Sequence, residues 1–418
     1  MDKQKKIVIS HFGGNANVRA AVNAFLHAEI LDSFHISVGV FKGTWYWKFF
    51  SLPLLKDFKK RGFNDKLRPF THSHPFVGLG RIICQKLKIH TLLKHEIGVF
   101  CVDKECEYID MKTSAYISKH NPKIDAVYCY EDVALQTFQE AKKYGKLCIF
   151  DEPIGYWRYM RMLLEEERKK NPNWAVTLGG FNDSYNKLKR KDEELALADK
   201  IYVASSFTKR SLQEYPGRLA PIEVIPYGFP LPNKNRVFKP FNGRKIRCLY
   251  VGGLTQRKGL SYIFEAVKGL EDHVELTIAG GGEIDKCPAL KRALSRVNYV
   301  GTLSHDKVLD LMSEHDLFLF PSLFEGFGLV ITEAMSQGTP CIVTERTCGP
   351  DIITHGVDGW IVEAGSSESI KELLLKLIEN PYLLHDAGKA AIKKAESRPW
   401  HKYEEELSES VMAFLRNR

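Results

Sequence analysis

Two carboxylates, Glu325 and Glu333, stand eight positions apart in the stretch "LFLFPSLFEGFGLVITEAMSQGTP", which runs from Leu317 to Pro340. An apolar run reads as a buried strand, and "GLVITEAMSQG" reads as a helix closed by Gly338 and stopped by Pro340. Gly326 and Gly328 remove side chains just where that helix starts. Backbone amides and the positive end of the helix dipole then form a site for an anion such as a pyrophosphate. A carboxylate beside phosphate is repelled by it, so Glu325 should address something else. Hydroxyl groups of a sugar or ribose suit it, because a carboxylate accepts strong hydrogen bonds from them. Glu333 follows a little over two helical turns later, so the two acids can grip different parts of one elongated ligand.

Elements that could position such a turn recur along the whole chain. Short β-branched runs alternate with helical stretches. The first half carries them at 7–10, 36–41, 97–102, 126–130, 146–150 and 200–205. The second half carries them at 246–251, 274–280, 299–301, 317–320, 341–345 and 360–363. Runs that are apolar throughout and separated by helices indicate buried parallel strands. The sequence therefore predicts an α/β protein with two doubly wound, Rossmann-like domains facing across a cleft. At 418 residues a single core is also unexpected. The seam falls in "YGFPLPNKNRVFKPFNGRK" (227–245), which is rich in Pro, Asn and Lys and has no period. The expected division is 1–228, a linker at 229–245, a second domain at 246–395, and a terminal helix at 396–418.

Charge is unevenly distributed. Residues 1–250 hold 42 Lys/Arg against 26 Asp/Glu, whereas the remainder holds 18 against 25. A basic first half invites anionic partners. The apolar run near the start is too short for a signal peptide, and no stretch reaches the ~18 apolar residues of a spanning helix. The nine cysteines are scattered without zinc or Cys-x-x-Cys spacing, which fits free thiols in a reducing cytoplasm.

On these residues the chain resembles the retaining glycosyltransferases of family four, which have the GT-B fold. "PSLFEGFGLVITEAMSQGTP" is similar to the family signature. Further similar segments follow in family order: "EELALADKIYVASSFTKRSL" (193–212), "VIPYGF" (224–229), "LYVGGLTQRKGLSYIFEAV" (249–267) and "HGVDGWIVEAG" (355–365). The tail resembles a helix that crosses back onto the first domain. The resemblance implies that Glu325 contacts the reacting end of the donor sugar and that Glu333 holds ribose hydroxyls. It implies that amides from Phe327 to Leu329 touch sugar and phosphate, with Gly326 and Gly328 giving them room. It further implies that Lys258 meets the diphosphate, with Gly13 and Gly14 beside the leaving phosphates from the opposite domain. The expected activity is transfer of a hexosyl or deoxyhexosyl group from a nucleotide-sugar to a glycan or lipid-linked acceptor, with retention, in surface polysaccharide or glycolipid synthesis. No cofactor or metal is expected.

Two features depart from the family pattern. Gly253 stands where an Arg is usual in the phosphate loop, and Arg257 beside Lys258 is the expected replacement, with Arg19 of the first domain as the other choice. Where a His is usual after the strand "KLCIF", Asp151 and Glu152 stand instead, and either could orient or deprotonate an acceptor hydroxyl or equally be a plain loop acid. Tyr156 and Trp157 offer flat faces for an acceptor sugar, though core packing explains them equally. His72 and His74 lack metal-ligand spacing and read as loop residues, with acceptor contact a secondary reading. Residues 42–68 combine eight Lys/Arg with Trp45, Tyr46, Trp47, Phe49 and Phe50, a composition suited to an anionic membrane surface or to single-stranded nucleic acid, though a partly buried helix of the first domain explains it equally; lipid-linked acceptors among resembling enzymes favour the membrane. The protein is then expected in the cytoplasm, peripheral at the inner membrane face where that segment meets lipid. No nucleic-acid reader is evident, and the oligomeric state is not encoded in any visible pattern. The competing readings are a nucleotide-sugar epimerase of the same architecture and a non-catalytic GT-B binding module. A P-loop enzyme is excluded, because no Gly-x4-Gly-Lys-Ser/Thr occurs.

Overall fold

The computed structural model describes residues 5–44 and 62–417. Among these, two parallel sheets dominate. The first runs in the order Thr71–Ser73, Leu31–Ile36, Ile7–His11, Ala126–Tyr130, Leu147–Glu152, Lys200–Val203, Ile222–Val224. The second runs Asn298–Gly301, Val274–Ala279, Ile246–Val251, Leu317–Phe320, Cys341–Thr344, Gly359–Val362. Central strands such as Ile7–His11, Ala126–Tyr130 and Leu317–Phe320 are buried at every position, as strands covered by helices on both faces must be. Each sheet begins in its middle and winds first one way and then the other. Strand order therefore reverses between Ile7–His11 and Ala126–Tyr130, and again between Ile246–Val251 and Leu317–Phe320. Crevices at the carboxyl ends of strands open at such reversals.

The central strand of the second sheet is anchored at its base. Asp316 accepts both arms of the Arg244 guanidinium (2.6 and 2.9 Å) and the Arg247 N–H (2.9 Å). Against the effect of burial, these donors hold its carboxyl below the usual range.

The chain crosses between the domains twice, side by side. The Phe229 N–H donates to the Arg398 carbonyl at 2.8 Å, and a Cβ on Gly228 would overlap the Trp400 backbone. After the second crossing, helix Trp400–Arg416 packs on helix Ala16–His27 and places Tyr403, Leu407, Val411 and Leu415 in the core. The Tyr202 and Ser410 hydroxyls meet at 2.8 Å.

Some expectations are corrected. Residues 97–102 are not a strand. Gly98 and Phe100 fold back onto the Lys94 and Leu92 carbonyls (2.7 and 3.0 Å), Ile97 and Val99 face solvent, and Val102 opens the helix Val102–His120. The run 36–41 splits into the end of Leu31–Ile36 and a two-residue strand, Val40–Phe41. His72 lies in the edge strand, not in a loop. His35 is stacked between His72 (4.8 Å) and His74 (5.3 Å), and its Nδ1 is 3.1 Å from His74 Nε2. Residues 45–61, the heart of the proposed membrane segment, lie outside the described residues. Among the described residues no helix is long and apolar enough to cross a membrane. All nine cysteines are buried free thiols.

The histidines have a measurable consequence. Burial, then the charges of His72, His74 and His120, push His35 well below its ordinary value. Burial lowers His74 to about 4, and it lowers His11, at the end of its strand, to about 4 as well. With a folded pKa below the unfolded value of 6.5, the unfolded chain takes up protons first. The stability these histidines contribute is thus complete above pH 6.5 and falls as pH drops towards 4. For a side chain as buried as His11 the loss approaches about 3 kcal/mol. Buried carboxyls such as Asp151 act with the opposite sign in this range, so a variant isolates the histidine part: from pH 7 to pH 4 the urea midpoint of His11→Gln should gain on that of the wild type, and a constant difference would contradict this assignment.

Candidate functional site

The two reversals face each other across a cavity of about 530 Å³. The second domain supplies Gly252, Gly253, Lys258, Glu325 and the start of helix Leu329–Ser336; the first supplies His11, Phe12, Asn15, Asn17, Tyr130, Glu131 and Asp132. Tyr227, at the first crossing, lines it too, with its ring 4.8 Å from that of Phe327 and its hydroxyl 3.3 Å from Asn17 Nδ2. A larger groove of about 1160 Å³ near Trp174, Phe264 and Arg296 contains none of the site residues inferred from sequence.

Glycines shape the second-domain wall. Gly280 passes so close to Gly252 that a Cβ would overlap its carbonyl oxygen, which lets residues 252–254 lie on 280–281 (Leu254 N–H to Gly281 O, 2.9 Å). Gly259, at φ 74°, turns the chain into helix Leu260–Val267 directly beneath Pro321. This turn delivers Lys258 to the cavity. Its ammonium contacts the Glu325 carboxylate directly, both side chains being only 12–13% exposed. Burial, then the neighbouring Arg257 cation, push Lys258 well below its ordinary value, and Glu325 supplies the counter-charge. Gly328 adopts φ 91° ahead of helix Leu329–Ser336, so the first amides of that helix, from Leu329 on, are directed at the cavity end.

Other inferred residues fall differently. Arg257 reaches Glu325 (3.5 Å), but its guanidinium donates to the Phe324 carbonyl at 2.7 Å and is not on the cavity wall. It braces the turn that carries Glu325. Arg19 donates to the Gly14 and Gly62 carbonyls (2.8 and 2.6 Å) and covers the Phe63 ring. Gly13 and Gly14 lie between the wall residues Phe12 and Asn15 without lining the cavity, and Gly14 packs against Phe63. Gly326 serves the domain seam. A Cβ there would overlap the Pro153 carbonyl and stand 2.7 Å from Ile154 Cα, while its own carbonyl accepts from Ser205 and Thr208 (2.5 and 3.0 Å). Glu333 is partly exposed, 3.9 Å from His305; burial raises its carboxyl and His305 opposes this.

The acceptor-side residues inferred from sequence are not on the wall. Asp151 is buried, takes the Tyr128 hydroxyl at 2.6 Å, and is pushed up to about 7 by burial. Glu152 is buried beside Glu131 and raised well above its ordinary value by burial first and Glu131 next. Tyr156 and Trp157 both donate to Asp192 (2.6 and 2.8 Å), which spends their polar atoms inside the domain. The first-domain acids that do reach the cavity are Glu131, paired with Lys191 at 2.8 Å, and Asp132, paired with Arg190 at 2.6 Å. His11 reaches it as well, its Nδ1 accepting the Gly13 N–H at 2.8 Å. His11 is the last residue of its strand, and Glu131 and Asp132 directly follow Tyr130, the last of theirs; that place at the reversal is the one signal that could have found them.

Two facing parallel sheets, a cavity at both strand-order reversals and a final helix returned to the first domain together define the GT-B fold. Residues 233–394 match the family described as glycosyl transferases group 1. The chain is similar to the amylovoran biosynthesis glycosyltransferase AmsK of Erwinia amylovora, 30% identical over 37% of this chain and 40% of that one. It thus spans well under half the length of that relative. Among solved structures it is similar to sucrose-phosphate synthase from Thermosynechococcus elongatus (TM-score 0.67, 13% identity, 99% and 100% of the two chains). It is also similar to HepE of Anabaena in complex with UDP-glucose (TM-score 0.61, 15% identity, 98% and 99%).

Proposed function

We propose that this protein is a retaining glycosyltransferase that moves a sugar from a nucleotide-sugar to a glycan or lipid-linked acceptor in the synthesis of surface polysaccharide or glycolipid. The observation that carries this reading is the Lys258–Glu325 pair, set at the reversal point of one domain and facing the polar wall of the other. Lys258 and the amides ahead of Leu329 receive the diphosphate, with Arg257 behind them. Glu325 turns to the sugar, and Glu333 to the ribose. As the anomeric carbon–oxygen bond breaks, its electron pair stays on the diphosphate, whose growing charge these fixed groups stabilise. The acceptor hydroxyl bonds to the same face of that carbon and passes its proton to the departing phosphate oxygen. These cations and amides supply the counter-charge, so no metal is assigned a role.

The amylovoran relative and the UDP-glucose complex support this reading of acceptor and donor class. A thermal-shift panel of UDP, GDP, ADP, CDP and dTDP with their sugars tests it. One base should raise Tm, and its sugar conjugate should release nucleoside diphosphate when acceptor is added. No response to any of them would refute the proposal. Release of an isomerised nucleotide-sugar without acceptor would favour an epimerase instead. Glu333→Ala should weaken binding of the responding diphosphate about ten- to a hundredfold by calorimetry, as loss of a charge-assisted hydrogen bond predicts. Unchanged affinity would remove Glu333 from the ribose.

A further inference from the structure

The loop that carries Lys258 is held in part by the other domain. Gln256, two residues before Lys258, is fully buried. Its backbone N–H donates to Thr177 Oγ1 at 2.9 Å, and its Nε2 donates to Glu167 Oε1 at 2.6 Å and to Ser261 Oγ at 2.5 Å. Its Oε1 accepts the Ser261 N–H at 3.2 Å. Thr177 and Glu167 belong to the first domain, on and just after helix Trp157–Lys170. Glu167 is itself buried, and its second oxygen accepts the Tyr262 hydroxyl at 2.7 Å, again across the seam. The Trp174 ring stacks on Phe264 at 5.9 Å beside these bonds.

Resting on the reading of this loop as a diphosphate site, we infer that Glu167 and Gln256 are positioning residues that make donor binding depend on domain closure. Alone, the second domain offers the Gln256 side chain only Ser261. With the domains together, every polar atom of that side chain is bonded, and the turn from Thr255 to Gly259 has one arrangement. When the domains part, the Thr177 and Glu167 bonds are lost together, and the turn that presents Lys258 loosens. Linkage runs both ways: a diphosphate that needs Lys258 in place favours the closed pair of domains, and closure raises affinity for the diphosphate. None of these residues lines the cavity, so each acts through Lys258.

The experiment uses the full chain and the nucleoside diphosphate that the wild type binds. Glu167→Ala, Gln256→Ala and the double variant are titrated by calorimetry. Amide hydrogen exchange of residues 255–262 is followed without ligand. Each single variant should bind about tenfold more weakly, and the double variant no more weakly than either, because both break one linkage. Exchange at 255–262 should speed up while the strands of both sheets stay protected. Thr177→Val removes only the bond to the Gln256 N–H and should give a smaller change of the same kind, which guards against a variant that fails to fold. Unchanged affinity and exchange in all variants would overturn the inference, and so would additive losses. Absence of any diphosphate binding by the wild type would refute the proposed function instead.

Discussion

Lys258→Ala should lower turnover about 10²–10³-fold, the usual cost of removing one preorganised group that meets charge developing in the transition state. The side chain is nearly buried and in contact with Glu325, and a water in its place would carry no charge. Part of its attraction appears only as the leaving group becomes more negative, so rate should fall further than affinity for the ground-state donor. Glu325→Gln should separate from it, sparing affinity for the free diphosphate while damaging turnover. Arg257→Ala is expected to resemble Glu325→Gln more than Lys258→Ala, because its guanidinium holds the Phe324 carbonyl ahead of Glu325. Nucleoside diphosphate release, paired with calorimetry on the free diphosphate, measures both quantities. Near-normal turnover in Lys258→Ala would dismiss it from the reaction.

The second large effect belongs to a residue without a side chain. In Gly326→Ala the new methyl meets backbone on the facing domain, the Pro153 carbonyl and Ile154 Cα, and neither is a flexible side-chain tip that can swing away. The domains must then separate locally, and the Ser205 and Thr208 bonds to the Gly326 carbonyl lengthen or break. Overpacking of this kind costs about 1–3 kcal/mol. Turnover should fall at least a hundredfold, since a reaction between groups on two domains tolerates little displacement. Affinity for the free diphosphate should fall less, by about tenfold at most through the Gln256–Glu167 linkage, because its direct contacts come from one domain. Small-angle scattering should show a wider molecule. A variant with wild-type dimensions and activity would show that the seam yields at this point.

Much of the second domain was legible in the sequence. Its strands are continuous runs of buried apolar residues, and such runs leave little choice of structure: Ile246–Val251 and Leu317–Phe320 fall where the pattern puts them. The first domain was harder. Thr71–Ser73 and Ile222–Val224 are three-residue edge strands with no pattern to detect, and the apolar run at 97–102 is a turn that exposes Ile97 and Val99 before the helix at Val102. The donor-side residues were readable because one local turn holds Glu325 next to Gly328, and glycine marks such turns. Distant partners were not readable. Nothing near Tyr156 announces that Asp192 takes its hydroxyl, and nothing near Gly326 announces the Pro153 carbonyl. Asp151 and Glu152 were placed one layer too high. Their strand is buried to its last residue, whereas the neighbouring one ends at Tyr130 and leaves Glu131 on the wall.

The contact between helices Ala16–His27 and Trp400–Arg416 bears on how the molecule is made. The second domain is assembled from one continuous stretch, so it can acquire its core as soon as that stretch has left the ribosome. The first domain cannot. Its opening helix packs early on its own sheet, as Phe25 does on Tyr128, but the side that meets Trp400–Arg416 waits for a partner nearly 400 residues away. Contacts of such separation form slowly, and exposed apolar surface in the interval invites aggregation. Although the first domain is translated first, it is the last to be finished.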